Sequence, residues 1–156
     1  MSDSASAVLA AGLTRVGLIE SPTATYDCGN AQQPQQCAQL ELYYMHGLGH
    51  GIGLEVHDPD QFYFTGALAT GSAFTIEPGI YVRENLLEIL PKSQRNDALI
   101  AKIRPAVEKF KNVGIRIEDD YLMTDQGLEW ISRAPREINE VEAMMRETLA
   151  GAPKRR

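Results

Sequence analysis

The chain has 156 residues, of which 44% are apolar and 23% are charged, an ordinary balance for a globular protein. This length corresponds to one domain or a part of one, and it is long enough to bury a core. Twenty-one acidic residues against fifteen basic ones give a net charge of −6, which argues against nucleic acid as a partner. Residues 151–156 form a short basic tail.

Neither a membrane segment nor a leader is predicted. No apolar run approaches the roughly 20 residues of a membrane-spanning helix, and the first residues carry no positive charge ahead of an apolar stretch. Cys28 and Cys37 lie nine residues apart without a C-x-x-C pattern. We favour two free thiols in a reducing cytoplasm, and a disulfide within the loop stays open. The predicted location is therefore cytoplasmic.

The first forty-five residues read as a helix, a loop and a strand. A helix is predicted over 4–16, ended by Gly17. Its apolar face contains Leu9, Leu13 and Val16. Residues 21–39 are rich in Pro, Gln and Asn and show no apolar period, which indicates a surface loop. The apolar run 40–45 predicts a short strand.

The middle of the chain predicts two strands and a second helix. Residues 71–82 read as two strand pieces, because Pro78-Gly79 forces a turn directly after Glu77. Asn96-Asp97 is a candidate helix cap, and Pro105 should kink or interrupt the helix that follows. The apolar residues at helical spacing in this helix are Ile100, Ile103, Val107 and Phe110.

The last third predicts a hairpin and a final helix. Residues 114–123 read as a strand, with Ile115 and Ile117 on one face, and 125–127 read as a turn into 128–132. Pro135 opens the last helix. Its apolar stripe consists of Ile138, Val141, Met145 and Leu149, and we predict that the stripes of all three helices face the core. Strands with separate flanking helices, without regular βαβ alternation, indicate an α+β fold.

The strongest functional signal is the run Y-Y-M-H-G-L-G-H-G-I-G-L-E-V-H-D-P at 43–59. All three histidines of the protein, His46, His50 and His57, lie within these 17 residues. Histidine is the commonest metal ligand and titrates near neutral pH. Glycine at this density lets the backbone pass close to an ion or a substrate. The cluster therefore predicts a binding or catalytic site.

Three metal-capable side chains each lie beside a Gly or Pro kink: His50, Glu77 and Glu118. One imidazole and two carboxylates suit a divalent ion such as manganese, cobalt, iron or zinc. Separations of 27 and 41 residues show no ligand spacing by themselves. The alternative is that both carboxylates are solvated or paired with cations and that the histidines are ordinary loop residues.

Taken together, M-H-G-L-G-H-G-I-G-L-E-V-H-D-P, T-I-E-P-G-I-Y and G-I-R-I-E-D-D resemble the pita-bread metallopeptidases. Within that family they resemble the Xaa-Pro aminopeptidase (aminopeptidase P) and prolidase branch, over roughly residues 40–145. Methionine aminopeptidases and the metal-free creatinase fit less well. The resemblance implies the C-terminal half of a pita-bread fold, with a mixed or antiparallel curved sheet and flanking helices. We therefore treat residues 1–156 as a single partial catalytic domain.

The resemblance also implies a role for each residue. His50, Glu77 and Glu118 resemble the metal ligands, with Glu118 bridging two ions, and manganese is the first choice of metal. Glu77 further resembles the carboxylate that transfers the proton of the activated water. The implied catalytic residues besides it are His46 and His57, which line the substrate site, and Arg116 and Tyr81, which orient the carboxylates.

His46, His57 and Arg116 each have a plainer interpretation. His46 could pack beneath its loop, and His57 could stabilise the Asp58-Pro59 turn. Arg116 could pair with Asp119 or Asp120.

The match has a gap. The family's two-metal site uses two aspartates well upstream of the histidine cluster, but only 49 residues precede His50. Asp27 is a poor substitute because the position 11 residues later is Ala38. We therefore expect at most one well-ligated ion in this chain.

Three hypotheses follow from this gap. The first is an enzyme that releases the residue ahead of proline from a proline-containing peptide, with the isolated chain inactive or weak. The second is a half-domain that binds a missing N-terminal half or a second copy of itself. The third is a recognition module that has lost catalysis.

Overall fold

The computed structural model describes residues 1–58 and 67–151, with side chains as far as residue 147. Within these ranges the chain forms three α-helices, eight β-strands and one 3₁₀-helix. In chain order they are α1 (Ser2–Arg15), β1 (Thr25–Asp27), β2 (Gln36–Ala38), the 3₁₀-helix (Gln39–Leu42), β3 (Gly51–Ile52), β4 (Ala73–Ile76), β5 (Gly79–Tyr81), α2 (Gln94–Phe110), β6 (Gly114–Arg116), β7 (Asp119–Thr124), β8 (Gly127–Trp130) and α3 (Ile138–Gly151). The predicted α+β class is confirmed, and every strand pair in the described residues is antiparallel.

The chain divides into two compact units. The first unit comprises Met1–His50 and Glu77–Glu118, and the second comprises Gly51–Ile76 and Asp119–Arg156. The first unit contains α1, α2 and two small sheets, β1–β2 and β5–β6. The second contains a four-stranded sheet in the order β3-β4-β7-β8.

The apolar core of the first unit is formed by α1, α2 and two connecting segments. Gly17 ends α1 as predicted, with a φ of 78° and the Leu18 N–H donating to the Leu13 carbonyl. Helix α2 runs without interruption through Pro105, contrary to the sequence expectation. The buried residues of this core are Ala10, Leu13, Leu18, Ile19, Leu42, Tyr43, Val82, Leu86, Leu90, Leu99, Ile103 and Val107.

The start of α2 corrects a predicted boundary. Ser93, not Asn96-Asp97, caps the helix, and its hydroxyl accepts the Asn96 N–H at 3.1 Å. Asn96 is instead fully buried, because its side chain exchanges two hydrogen bonds with the backbone of Asp27, at 2.9 and 3.0 Å. The Ser93 hydroxyl also donates to the Asp27 carboxylate at 2.6 Å. Asp27 therefore holds the end of β1 against the start of α2.

The predicted surface loop 21–39 contains a β-hairpin. Strands β1 and β2 pair antiparallel, with Tyr26 opposite Cys37. This register brings Cys28 and Cys37 to a Cα separation of 5.7 Å, and they form a disulfide. The prediction of two free thiols is therefore wrong. Sequence spacing could not show this because hairpin pairing, not separation along the chain, brings the two sulfurs together.

The predicted strand 40–45 is also wrong. Residues Gln39–Leu42 form a 3₁₀-helix, and the Tyr43 and Tyr44 N–H groups donate back to the Leu40 carbonyl at 3.0 and 2.9 Å. This turn buries Leu42 and Tyr43 consecutively, which a strand with alternating faces does not do. The Tyr43 hydroxyl donates to the Leu18 carbonyl at 2.7 Å. It thereby attaches the segment leading to His46 to the core.

The predicted strand 114–123 is two strands in the structure. Residues 114–123 form β6 and β7, which belong to different sheets. At the start of β7, the buried Asp119 carboxylate accepts from Trp130 Nε1 at 2.9 Å and forms an ion pair with Arg136. The predicted turn at 125–127 is confirmed, with Thr124 opposite Gly127 in the β7–β8 hairpin. Pairing a buried carboxylate at this position stabilises the first residue of β7.

The last helix begins at Ile138, three residues after Pro135, and its stripe is not buried. Ile138, Val141 and Met145 are exposed by 77%, 37% and 59%. The prediction that this stripe faces the core is therefore wrong for these residues, and the side chain of Leu149 lies outside the described part. Among the described residues, no helix combines the length and the apolar character needed to cross a bilayer.

The disulfide gives the first testable prediction. Closing a loop of about ten residues lowers the entropy of the unfolded chain and should stabilise the fold by about 2–3 kcal/mol. Dithiothreitol should therefore lower the free energy of unfolding in urea by about that amount. A Cys28→Ser/Cys37→Ser variant should show the lower value with or without reductant. Two titratable thiols in the untreated, denatured chain would contradict the prediction.

Tyr43 gives the second prediction. Burial raises the pKa of the Tyr43 hydroxyl above its usual value of about 10. Since the pKa of Tyr43 is higher in the folded than in the unfolded state, its protonated hydroxyl contributes fully to the free energy of unfolding below pH 10. That contribution is lost as the pH rises above 10. Urea unfolding should therefore show a falling free energy from pH 9 to 11. Tyr43→Phe should fall less over that range, although it is less stable at pH 8 by about 1–3 kcal/mol because the Leu18 carbonyl loses its partner. Equal slopes for both proteins would refute this assignment.

Candidate metal site

Three residues of the first unit place their ligand atoms together. His50, Glu77 and Glu118 each offer one ligand atom, and the three atoms lie within 4.8 Å of one another. His50 follows the 3₁₀-helix in an irregular glycine-rich segment, Glu77 lies directly before Pro78, and Glu118 follows β6. Among the described residues this is the one group of at least three His, Cys, Asp or Glu side chains with such geometry.

The three ligand candidates differ in burial. Glu77 is 6% exposed, His50 is half-buried and Glu118 is exposed. The Glu77 N–H donates to the Leu48 carbonyl at 2.7 Å, which joins the Glu77 backbone to the segment that leads to His50. One face of the cluster is therefore packed inside the unit and the other is open to solvent.

Glu77 lies between two partners. Its Oε1 is 3.3 Å from His50 Nε2, and its Oε2 is 3.1 Å from Arg116 Nη1. A buried carboxylate is costly unless it is paired, so these contacts explain how Glu77 is accommodated. Arg116 pairs with Glu77, whereas in the second unit Asp119 pairs with Arg136.

Tyr81 holds Arg116 from the other side. The Tyr81 hydroxyl accepts a hydrogen bond from Arg116 Nε at 2.7 Å, and the guanidinium carbon lies 5.8 Å from the ring centroid. This hydrogen bond, more than the nearby carboxylates, raises the pKa of Arg116 above its usual value. Arg116 is therefore a permanent cation beside Glu77.

His46 lies against two tyrosines. Its ring makes edge contacts with Tyr44 and Tyr81, with centroids 5.0 and 5.6 Å away. Its Nδ1 lies 2.7 Å from the Gly47 carbonyl, so Nδ1 carries the proton in that contact. Its Nε2 is buried and has no hydrogen-bond partner among the described residues. That atom can accept a hydrogen bond from a bound molecule.

Tyr44 is a neighbour of the site that sequence reasoning missed. Burial, and secondarily the charge of Glu77, raises the pKa of the Tyr44 hydroxyl. Its position two residues before His46 was the available sequence signal for a place in the site. That signal did not distinguish Tyr44 from Tyr43. The structure separates them, since Tyr43 faces the core and Tyr44 faces His46.

His57 belongs to the second unit. It is exposed and precedes Asp58, whose N–H donates to the Gly51 carbonyl at 3.0 Å. Its role in a substrate site stays a prediction.

Fold and cluster together define a chain with a carboxylate–imidazole site suited to a divalent cation. The profile of metallopeptidase family M24 matches residues 5–125, and the chain belongs to that family. Its similarity to Xaa-Pro peptidases confirms the branch that the sequence motifs indicate.

Two curated relatives and one solved structure illustrate the similarity. The chain is 38% identical over 106 residues to the Xaa-Pro aminopeptidase of Haemophilus influenzae, covering 66% of this chain and 20% of that protein. It is 31% identical over 150 residues to the Xaa-Pro dipeptidase of Rattus norvegicus, covering 85% and 28%. The structure of Pseudomonas aeruginosa aminopeptidase PepP superposes with a TM-score of 0.62 at 30% identity, covering 96% and 29%. The chain thus spans about a quarter of the length of these relatives.

Proposed function

We propose that residues 1–156 are part of a catalytic domain that hydrolyses the peptide bond between an N-terminal residue and proline. The observation that carries the proposal is the cluster of His50, Glu77 and Glu118 in a chain of metallopeptidase family M24. The motif-bearing part is residues 40–145. The substrates are proline-containing peptides, since the relatives are named for the Xaa-Pro bond.

The three clustered side chains are the proposed metal ligands. Ligands at 2.0–2.2 Å on opposite sides of one ion lie about 4.2 Å apart, so a group within 4.8 Å needs only small side-chain adjustments. One imidazole and two carboxylates fit manganese first, with cobalt, zinc or iron as alternatives. A bound ion would lower the pKa of a water and polarise the scissile carbonyl.

The remaining polar residues act on the ligands and the substrate. Arg116, held by Tyr81, fixes one oxygen of Glu77, so that the other oxygen faces His50 and the cluster. Fixed outer partners of this kind keep ligands in register. Glu77 also transfers the proton of the attacking water to the leaving amine. His46 offers its buried Nε2 to the substrate, and His57 lines the same substrate site in the complete domain.

Manganese titration is the direct test of the site. By calorimetry the chain should bind one Mn²⁺ weakly, because three protein ligands form a single shell. Glu118→Gln, an exposed substitution, should weaken binding by more than the roughly 100-fold that loss of an outer partner causes. Glu108→Gln is the matched control, since Glu108 is exposed and, among the described residues, forms its ion pair with Lys111, away from the cluster. Two tight sites would show that further ligands exist, and no binding would favour a recognition module.

Activity is tested on the same proteins. A Xaa-Pro-containing tripeptide is incubated with Mn²⁺ and the chain, and release of the N-terminal residue is compared with Glu118→Ala. Turnover above that control would show that the chain is active alone. Equal rates would restrict the proposed activity to the complete catalytic domain.

A second proposal concerns the partner of the first unit. Strand β6 pairs only with β5 among the described strands. The apolar residue within β6 and the two directly beside the strand are exposed: Ile115 by 60%, Val113 by 42% and Ile117 by 42%. An exposed apolar strand edge favours pairing with another chain. The proposed occupant is the polypeptide that bears the two aspartates, or a second copy of this chain in its absence.

Size-exclusion chromatography tests this pairing. The pure chain should elute as a concentration-dependent dimer or larger species. Ile115→Lys should shift it to the monomer without unfolding it, because the side chain is exposed. Val8→Lys, a 72% exposed position on α1, is the control and should elute like the parent chain. A well-folded parent monomer at all concentrations would rule out an obligate partner.

The cytoplasmic location stays a prediction. The Cys28–Cys37 disulfide counts against it, because cytoplasmic thiols are kept reduced in most organisms. Counting the alkylated and the disulfide-bonded cysteines in protein isolated under alkylating conditions would show whether Cys28 and Cys37 are reduced or oxidised in the cell.

A further inference from the structure

The sheet β5–β6 presents two glycines and two functional side chains on one face. Its register places Gly79 opposite Arg116 and Tyr81 opposite Gly114. Because side chains alternate along a strand, Gly79 and Tyr81 share a face, and the cross-strand pairs place Gly114 and Arg116 on it too. Tyr81 and Arg116 are therefore diagonal neighbours, and both remaining corners are glycines.

The Tyr81 ring occupies the space that two Cβ atoms would fill. A Cβ on Gly79 would lie 2.7 Å from the Tyr81 hydroxyl oxygen and 3.0 Å from its Cε2. A Cβ on Gly114 would lie 3.2 Å from Tyr81 Cδ1. Carbon atoms in van der Waals contact are about 3.5–4.0 Å apart. A side chain at position 79 would overlap the ring as it lies, and one at position 114 would press on it.

Backbone conformation does not explain these glycines. The glycines with positive φ among the described residues are Gly17, Gly71 and Gly127. Gly79 and Gly114 lie in ordinary paired strands, where glycine weakens a sheet. Each glycine is the first residue of its strand. The group that approaches both positions is the Tyr81 ring.

A side chain at position 79 would also contact His46. The Cβ on Gly79 would lie 2.9 Å from His46 Nε2, the buried atom without a hydrogen-bond partner. A methyl group there would press on both rings, whose centroids are 5.6 Å apart. Position 79 therefore affects the Tyr81 hydroxyl and His46 Nε2 together.

We propose that Gly79 and Gly114 form a glycine platform for Tyr81 and are positioning residues of the metal site. The two glycines let the Tyr81 ring lie close to the sheet, where its hydroxyl accepts a hydrogen bond from Arg116 Nε. Arg116 in turn forms an ion pair with Glu77. Gly79 acts more strongly, because its Cβ overlaps the hydroxyl itself. The metal readout of this inference rests on the proposed function, but the geometry can be tested without metal.

The metal test compares three glycine substitutions. Gly79→Ala should weaken Mn²⁺ binding by about 10–100-fold, the range for loss of an outer partner. Gly114→Ala should weaken it less, since its closest contact, 3.2 Å to Tyr81 Cδ1, needs a shift of only a few tenths of an ångström. Gly12→Ala on α1, where a Cβ meets nothing closer than 3.9 Å, is the control and should bind like the parent. Parent-like binding by Gly79→Ala would overturn the proposal.

A double-mutant cycle separates positioning from general destabilisation. If Gly79→Ala acts by displacing the Tyr81 hydroxyl, it should cost much less affinity in a Tyr81→Phe background, where that hydroxyl is absent. Fold-changes that simply multiply would show that Gly79 acts independently of Tyr81 and would contradict the platform.

The metal-free chain tests the geometry of the platform whether or not the chain binds metal. The NMR signal of the Arg116 Nε–H should be protected from exchange by its bond to Tyr81 in the parent and in Gly12→Ala. It should lose protection in Tyr81→Phe and in Gly79→Ala, and lose part of it in Gly114→Ala. If Gly79→Ala does not fold, the milder Gly114→Ala variant carries the test. Full protection in the glycine variants overturns the platform. Absence of Mn²⁺ binding by the parent, with this pattern intact, overturns only the proposed function.

Discussion

The pairing of one buried carboxylate organises the first unit. Glu77 is 6% exposed and contacts His50 on one side and Arg116 on the other. A buried charge without such partners would cost several kcal/mol. The segments that carry these three residues, far apart in sequence, must therefore converge. Glu118 follows β6 by two residues, and the same convergence brings its carboxylate to the cluster.

The β1–β2 hairpin and the apolar core position the segment that precedes the histidine cluster. Asn96 and Ser93 of the α2 start hold Asp27 at the end of β1, and the Cys28–Cys37 disulfide closes the hairpin loop. The 3₁₀-helix then turns Tyr43 into the core. The chain therefore enters the glycine-rich run held at Tyr43, seven residues before His50.

Membership of metallopeptidase family M24 agrees with the cluster of His50, Glu77 and Glu118. Three candidate ligands form one shell, while the chain spans about a quarter of the relatives' length. Activity on Xaa-Pro bonds is therefore proposed for the complete catalytic domain. The exposed apolar residues around β6 supply a physical reason for a further polypeptide at that edge.

The sequence by itself determined the family, the α+β class, most helix positions and the residues of the cluster, because local periodicity and short motifs carry that information. It could not show the contacts between distant segments. The Cys28–Cys37 pairing depends on hairpin register, and burial of Asn96 depends on docking against Asp27. The α3 stripe was predicted to face the core from its helical spacing, but spacing does not say what covers a face, and its described residues are exposed. Only the tertiary structure decided that Gly79 and Gly114 lie under Tyr81, because close approach across a sheet has no signal along the chain.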